Sequence, residues 1–124
     1  MRFLPTSAHG VIDYIWGIAL FASPWLFGFE DVIAAKWVAI LFGVGAILYS
    51  LFTSYELGVL HIIPMPMHLV LDGAAGALLA ASPFLLGFSD RVYGPHVAFG
   101  LVAIAASFVT RVESGLPNGH REPA

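Results

Sequence analysis

The segment His9–Phe29, HGVIDYIWGIALFASPWLFGF, returns as His68–Phe88, HLVLDGAAGALLAASPFLLGF. The two align without a gap. Each opens on a histidine, sets an aspartate four residues on, and closes on Ser-Pro-aromatic and Gly-Phe. A second stretch is repeated as well. Phe42, Gly43, Ala46, Ser50, Thr53, Glu56 and Gly58 match Phe99, Gly100, Ala103, Ser107, Thr110, Glu113 and Gly115, at an offset two residues smaller. The chain therefore reads as a duplicated unit, 8–58 and 67–115, with a mobile tail over 116–124.

Each unit holds two apolar runs, so the whole holds four, roughly 8–29, 33–55, 67–88 and 93–112. A bilayer crossing takes about 20 residues of helix. The 124 residues are 59% hydrophobic and 10% charged, with a mean hydropathy of +0.87. Soluble domains carry about 25% charged residues. The expected architecture is a single all-α membrane domain of four transmembrane helices, formed by two tandem two-helix repeats. Two such repeats enter the membrane in one orientation, which places a pseudo-two-fold axis along the membrane normal. A barrel would need alternating patterns and more strands. Here the runs are continuous and rich in Ala, Leu and Gly.

The chain has no cysteine, which excludes disulfides, thiolate ligands and cysteine nucleophiles. Its net charge of −3 is spread over loops, so nucleic acid is not an expected partner. A cleaved signal peptide would destroy the repeat, and none is expected. Arg2, Arg111 and Arg121 on one side against Lys36 and Arg91 on the other favour termini in the cytoplasm. No phosphate-binding glycine loop, nucleophile elbow or HExxH motif occurs, which speaks against an NTPase or a hydrolase.

Pro5-Thr6-Ser7 predicts a helix start with Thr6 or Ser7 as cap. Pro24 and its counterpart Pro83 each deprive a carbonyl of its donor; either Ser23 and Ser82 satisfy a carbonyl nearby or the helix bends there. Gly28 and Gly87 suit helix ends. Trp25 and Phe84 suit an interface. Ala39, Gly43, Gly100, Ala103 and Ser107 make small-residue faces on the second and fourth helices, where a second protomer of a homo-oligomer is expected to pack.

Ser23-Pro24-Trp25 and Ser82-Pro83-Phe84, each downstream of His-x-x-x-Asp, resemble the SPW-repeat family of small bacterial membrane proteins. The resemblance covers roughly residues 9–112. The second copy departs from it, with Phe84 where the first has Trp25. It implies a two-repeat, four-helix module spanning the bacterial cytoplasmic membrane, and it implies no activity.

His9 and Asp13 share a helix face, as do His68 and Asp72. Ionisable residues inside a membrane are costly, so the repeated pair marks a candidate site. About the pseudo-two-fold axis His9 faces His68, and the two aspartates lie about 6 Å deeper. Several uses stay open. The pairs pin the bundle as a structural or assembly module without cofactor. Two facing histidines are axial ligands for a b-type haem in electron transfer, with Asp13 and Asp72 orienting the rings and Gly10, Gly17, Gly73 and Gly76 making room for the macrocycle. His9 and His68 with the aspartates suit a transition metal, Zn, Mn or Fe. Met65, Met67, His61 and His68 suit Cu(I). A chain of acids and imidazoles suits a proton relay. His96 has no histidine counterpart and reads as an interfacial residue with its ring toward water; His120 lies in the tail. Nothing in the sequence names a redox partner.

Overall fold

The computed structural model describes residues 2–116. It holds four helices, α1 Thr6–Leu26, α2 Ile33–Leu51, α3 Met65–Leu85 and α4 Gly94–Val109. No strand occurs among the described residues; two isolated bridges, Leu4 with Thr110 and Thr53 with Ile63, are the only extended pairings there. The tail expected over 116–124 falls, from 117 onward, outside the described residues, and His120 with it.

Both α1 and α3 start directly after a proline. Pro5 and Pro64 are extended at ψ 152° and 150° and supply no side-chain cap. Neither Thr6 nor Ser7 caps α1, contrary to expectation. Thr6 lies inside the first turn, and its hydroxyl donates instead to Glu56 Oε1 at 2.7 Å. α2 stops at Leu51, short of the expected 55, because the chain turns back there. The Leu51 carbonyl accepts from Val59 and Leu60, and the Phe52 carbonyl from Ile62 and Ile63.

The late prolines behave as their chemistry requires. Ser23 Oγ donates to the Leu20 carbonyl at 2.7 Å, and Ser82 Oγ to the Leu79 carbonyl at 2.7 Å. These are the two carbonyls that Pro24 and Pro83 leave without an N–H donor. Gly28 and Gly87 end the helices in the left-handed region, at φ 72° and 76°, where glycine alone carries no Cβ penalty.

α1 packs on α2 and α3 on α4, giving two hairpins. Glycines set how closely they pack. A Cβ at Gly43 would come within 2.7 Å of the Gly17 carbonyl oxygen, and one at Gly76 within 2.7 Å of that of Gly100. The small faces of α2 and α4 are thus used inside each hairpin. Gly43, Gly100, Ala39 and Ser107 are buried within the chain, and Ala103 is half-buried.

Two clusters join the hairpins. At the loop end, Leu20, Phe29, Ala35, Ala39, Leu79 and Phe88 form an apolar core. His96 belongs to this end and is fully buried, not interfacial as its isolation in sequence suggested. Its ring sits 5.2 Å from Phe29 and 4.9 Å from Phe88, and its Nε2 lies 3.0 Å from the Ala35 carbonyl oxygen. At the terminal end, Tyr55, Met65 and Leu69 cover a polar cluster. Two of the helices, Ile33–Leu51 and Met65–Leu85, are long and apolar enough to cross a bilayer.

Candidate functional site

Leu4 runs beside Thr110, and Ile63 beside Thr53. Leu4 takes the Val109 carbonyl and gives its own carbonyl to Arg111; the Ile63 carbonyl accepts from Ser54, and its N–H goes to Phe52. Each pairing brings the residue before one helix against the residues that end another. Pro5 then starts α1, and His9 closes its first turn on the Pro5 carbonyl. His68 closes that of α3 on Pro64. The outcome is a hydroxyl beside each imidazole. Thr110 Oγ1 lies 2.6 Å from His9 Nδ1, and Thr53 Oγ1 lies 2.7 Å from His68 Nδ1.

Each of these threonines also donates to a carbonyl one turn back, Thr110 to Ala106 and Thr53 to Tyr49, both at 2.6 Å. A hydroxyl owns one proton, and a carbonyl can only accept. Each threonine oxygen therefore accepts from its histidine, and the ring proton of both imidazoles sits on Nδ1. A neutral ring then presents a bare lone pair at Nε2.

Both Nε2 atoms point at the carboxylates. His9 Nε2 lies 3.0 Å from Asp13 Oδ1 and 2.7 Å from Asp72 Oδ2. His68 Nε2 lies 3.0 Å from Asp13 Oδ2 and 3.3 Å from Asp72 Oδ2, and it has no hydrogen-bond partner. One nitrogen or carboxylate oxygen from each of the four residues lies within 4.8 Å of the others, a set that could hold a metal ion. All four residues are buried, both histidines completely. The side chains thus share one level although the aspartates sit one turn further along their helices, because helical side chains lean toward the N-terminus.

Two tyrosines complete the carboxylates. Tyr55 Oη donates to Asp13 Oδ2 at 2.6 Å, and Tyr49 Oη donates to Asp72 Oδ1. The repeat hides both, since their counterparts are Val112 and Ala106. Thr53 and Thr110 were visible in the repeat as a matched pair, but nothing in the spacing showed that they reach the histidines.

The cluster does not fit a macrocycle. The imidazole centroids are 5.4 Å apart with carboxylate oxygens against both Nε2 atoms. The cavity beside Asp13 and Asp72 measures about 20 Å³, whereas ligand pockets run to roughly 300–1,000 Å³. The glycines expected to leave room are occupied: Cβ atoms at Gly10, Gly17 and Gly76 would meet Leu57, Ile47 and Gly100, and one at Gly73 would touch Ser107. The soft-ligand set is not assembled either. Met65 is buried against Tyr55 and Leu69, Met67 is exposed, and His61 is exposed with its Nε2 3.2 Å from the Gly58 carbonyl oxygen.

The SPW repeat domain matches this chain over residues 7–110. The chain belongs to the SPW repeat family. Both Ser-Pro motifs, all four members of the His/Asp cluster and the four helices, apart from Thr6 at the start of α1, fall inside the matched SPW region. No curated protein and no solved structure matches the chain. The SPW assignment thus comes with a buried His/Asp cluster and without a relative whose activity could be carried across.

Proposed function

We propose that this SPW protein crosses the bacterial cytoplasmic membrane four times, as two tandem two-helix repeats about a pseudo-two-fold axis along the membrane normal. Its termini lie inside the cell, and its His9–Asp13–His68–Asp72 cluster holds one divalent transition-metal ion. The membrane reading is supported by an inverted distribution of side chains. Ile15, Ile18, Leu41, Leu78 and Leu101 are exposed, while His9, Asp13, His68, Asp72, Ser23 and Ser50 are buried. Water would favour the reverse; hydrocarbon outside favours this.

One observation carries the metal reading. Both rings give an Nδ1–H to a threonine, so in neutral rings two Nε2 lone pairs face two carboxylates, that of His9 at hydrogen-bond distance, 2.7 Å, from Asp72 Oδ2 and that of His68 without a hydrogen-bond partner. Lone pair against carboxylate repels unless a positive charge lies between them. One divalent cation supplies it, takes two nitrogens and two oxygens, and neutralises both carboxylates. Metal-bound histidines are typically held this way, with the other ring N–H donated to an oxygen. A tetrahedral shell at ordinary Zn–N and Zn–O lengths has ligand–ligand edges of about 3.3 Å. The nitrogen–oxygen contacts here run from 2.7 to 3.3 Å, and one such atom from each of the four residues lies within 4.8 Å of the others, which supports a shell of that size. Two imidazoles and two carboxylates suit Zn(II), Fe(II), Mn(II) or Co(II), and not Cu(I).

The test is metal analysis of protein extracted in mild detergent, followed by Co(II) titration of the stripped protein. One equivalent of metal per chain and tetrahedral Co(II) absorption, both lost in His9→Ala and His68→Ala, are expected. A protein that takes up no metal, and whose two alanine variants merely melt earlier, would make the cluster a structural clasp with a proton on each Nε2. That is the rival reading, and the direct His9–Asp72 contact between hairpins favours it.

A further inference from the structure

The two hairpins differ around Gly73 in a way that the duplication makes visible. Between α3 and α4 runs an open groove of about 400 Å³, walled by Leu69, Val70, Gly73, Phe108 and Val112, with Arg2 at its outer end. In the first hairpin the counterpart of Gly73 is Tyr14, a half-buried side chain that donates its hydroxyl to the Leu57 carbonyl at 2.7 Å. The counterpart of Arg2 is His61.

Arg2 is held rigidly and left without a counter-charge. Its Nη1 donates to the carbonyls of Ser107 at 2.8 Å and Thr110 at 2.6 Å, at the end of α4. It makes no ion pair among the described residues; Glu113, the first acid after α4, lines the adjoining crevice instead. The guanidinium has further N–H groups beyond those two bonds, in a fixed planar fork that matches phosphate oxygens. The walls below it are apolar, with Val70 and Phe108 well exposed. A fixed cation at the rim of an apolar trough has the shape and charge of a receptor for an anionic phospholipid.

We propose that this groove seats one anionic glycerophospholipid, its phosphate on Arg2 and one acyl chain along Val70, Gly73 and Phe108. The proposal rests on the membrane reading above and is independent of the metal. Tyr14 closes the other hairpin, so the stoichiometry is one lipid per chain.

Native mass spectrometry of detergent-extracted protein, offered phosphatidylglycerol or phosphatidylcholine of identical acyl chains, tests it. The wild type should retain a single phosphatidylglycerol about fivefold better than phosphatidylcholine, the preference one basic residue near a lipid surface supplies. Arg2→Gln should equalise the two lipids, Arg2→Lys should keep part of the preference, and Gly73→Tyr should expel both. Melting temperature checks that each variant is folded. Equal retention of the two lipids by the wild type, or an unchanged preference in folded Arg2→Gln, would overturn the groove assignment. Recovery of the protein from the soluble fraction without detergent would overturn the membrane reading instead.

Discussion

Thr110 Oγ1 accepts from His9 Nδ1 at 2.6 Å while giving its own proton to the Ala106 carbonyl. Thr53 does the same for His68. The pair decides which ring nitrogen is free to bind.

Replacing either threonine by valine keeps its shape and removes the acceptor. Outer-shell partners of this kind are worth about 10- to 100-fold in metal affinity. Thr53→Val and Thr110→Val should therefore each weaken Co(II) binding by that order. Competition against a calibrated chelator measures it, and unchanged affinity in both variants would remove the tautomer argument.

Asp72→Asn separates a metal site from an ionic clasp by sign. An amide can donate to an Nε2 lone pair that a carboxylate repels. If a metal is the native partner, the variant should lose metal, while its metal-free melting temperature equals or exceeds that of stripped wild type. If protonated imidazoles are native, breaking the buried pair should cost about 3–5 kcal/mol. Thermal melts of both proteins after chelation decide between the two.

Gly43 and Gly100 act at the crossings of the hairpins and not at the site. Gly43→Ala and Gly100→Ala should each destabilise the protein by about 1–3 kcal/mol through overpacking. Metal content per folded chain should stay constant. A melt unchanged in both variants would show that the hairpins are less closely packed than the 2.7 Å contact at Gly43 and the 2.5 Å contact at Gly100 require.

Buried His96 sits between Phe29 and Phe88 at the opposite end from the cluster. His96→Ala should lower the melting temperature through the cavity it leaves, without altering the Co(II) spectrum. Loss of that spectrum in a folded variant would tie His96 to the site.

Four spans place both termini on one side. Reporter fusions at residue 1 and at residue 124 should report the same compartment. Opposite compartments would refute the four-span reading.

Much of this was legible in the chain because duplication exposes it. The four helices, the Ser-Pro repair of the Leu20 and Leu79 carbonyls, and the glycine helix ends follow from local chemistry. The convergence of His9, Asp13, His68 and Asp72 followed from the periodicity of one helix face. What escaped were contacts that break the repeat or depend on the chain turning back. Tyr49 and Tyr55 have no counterparts. Thr6 was read as a cap and bonds Glu56. His96 was read as interfacial because nothing local reveals the Phe29 and Phe88 rings around it.

The bridges of Leu4 to Thr110 and of Ile63 to Thr53 have a consequence for biogenesis. The first hairpin carries His9 and Thr53, and the second carries His68 and Thr110. Each histidine thus borrows its hydroxyl from the other hairpin. A nascent chain that has folded only its first half holds an imidazole with its Nδ1 unsatisfied and a threonine with nothing to receive. Completion of either ring requires the second half to arrive in register, so the cluster cannot form until translation has passed Thr110.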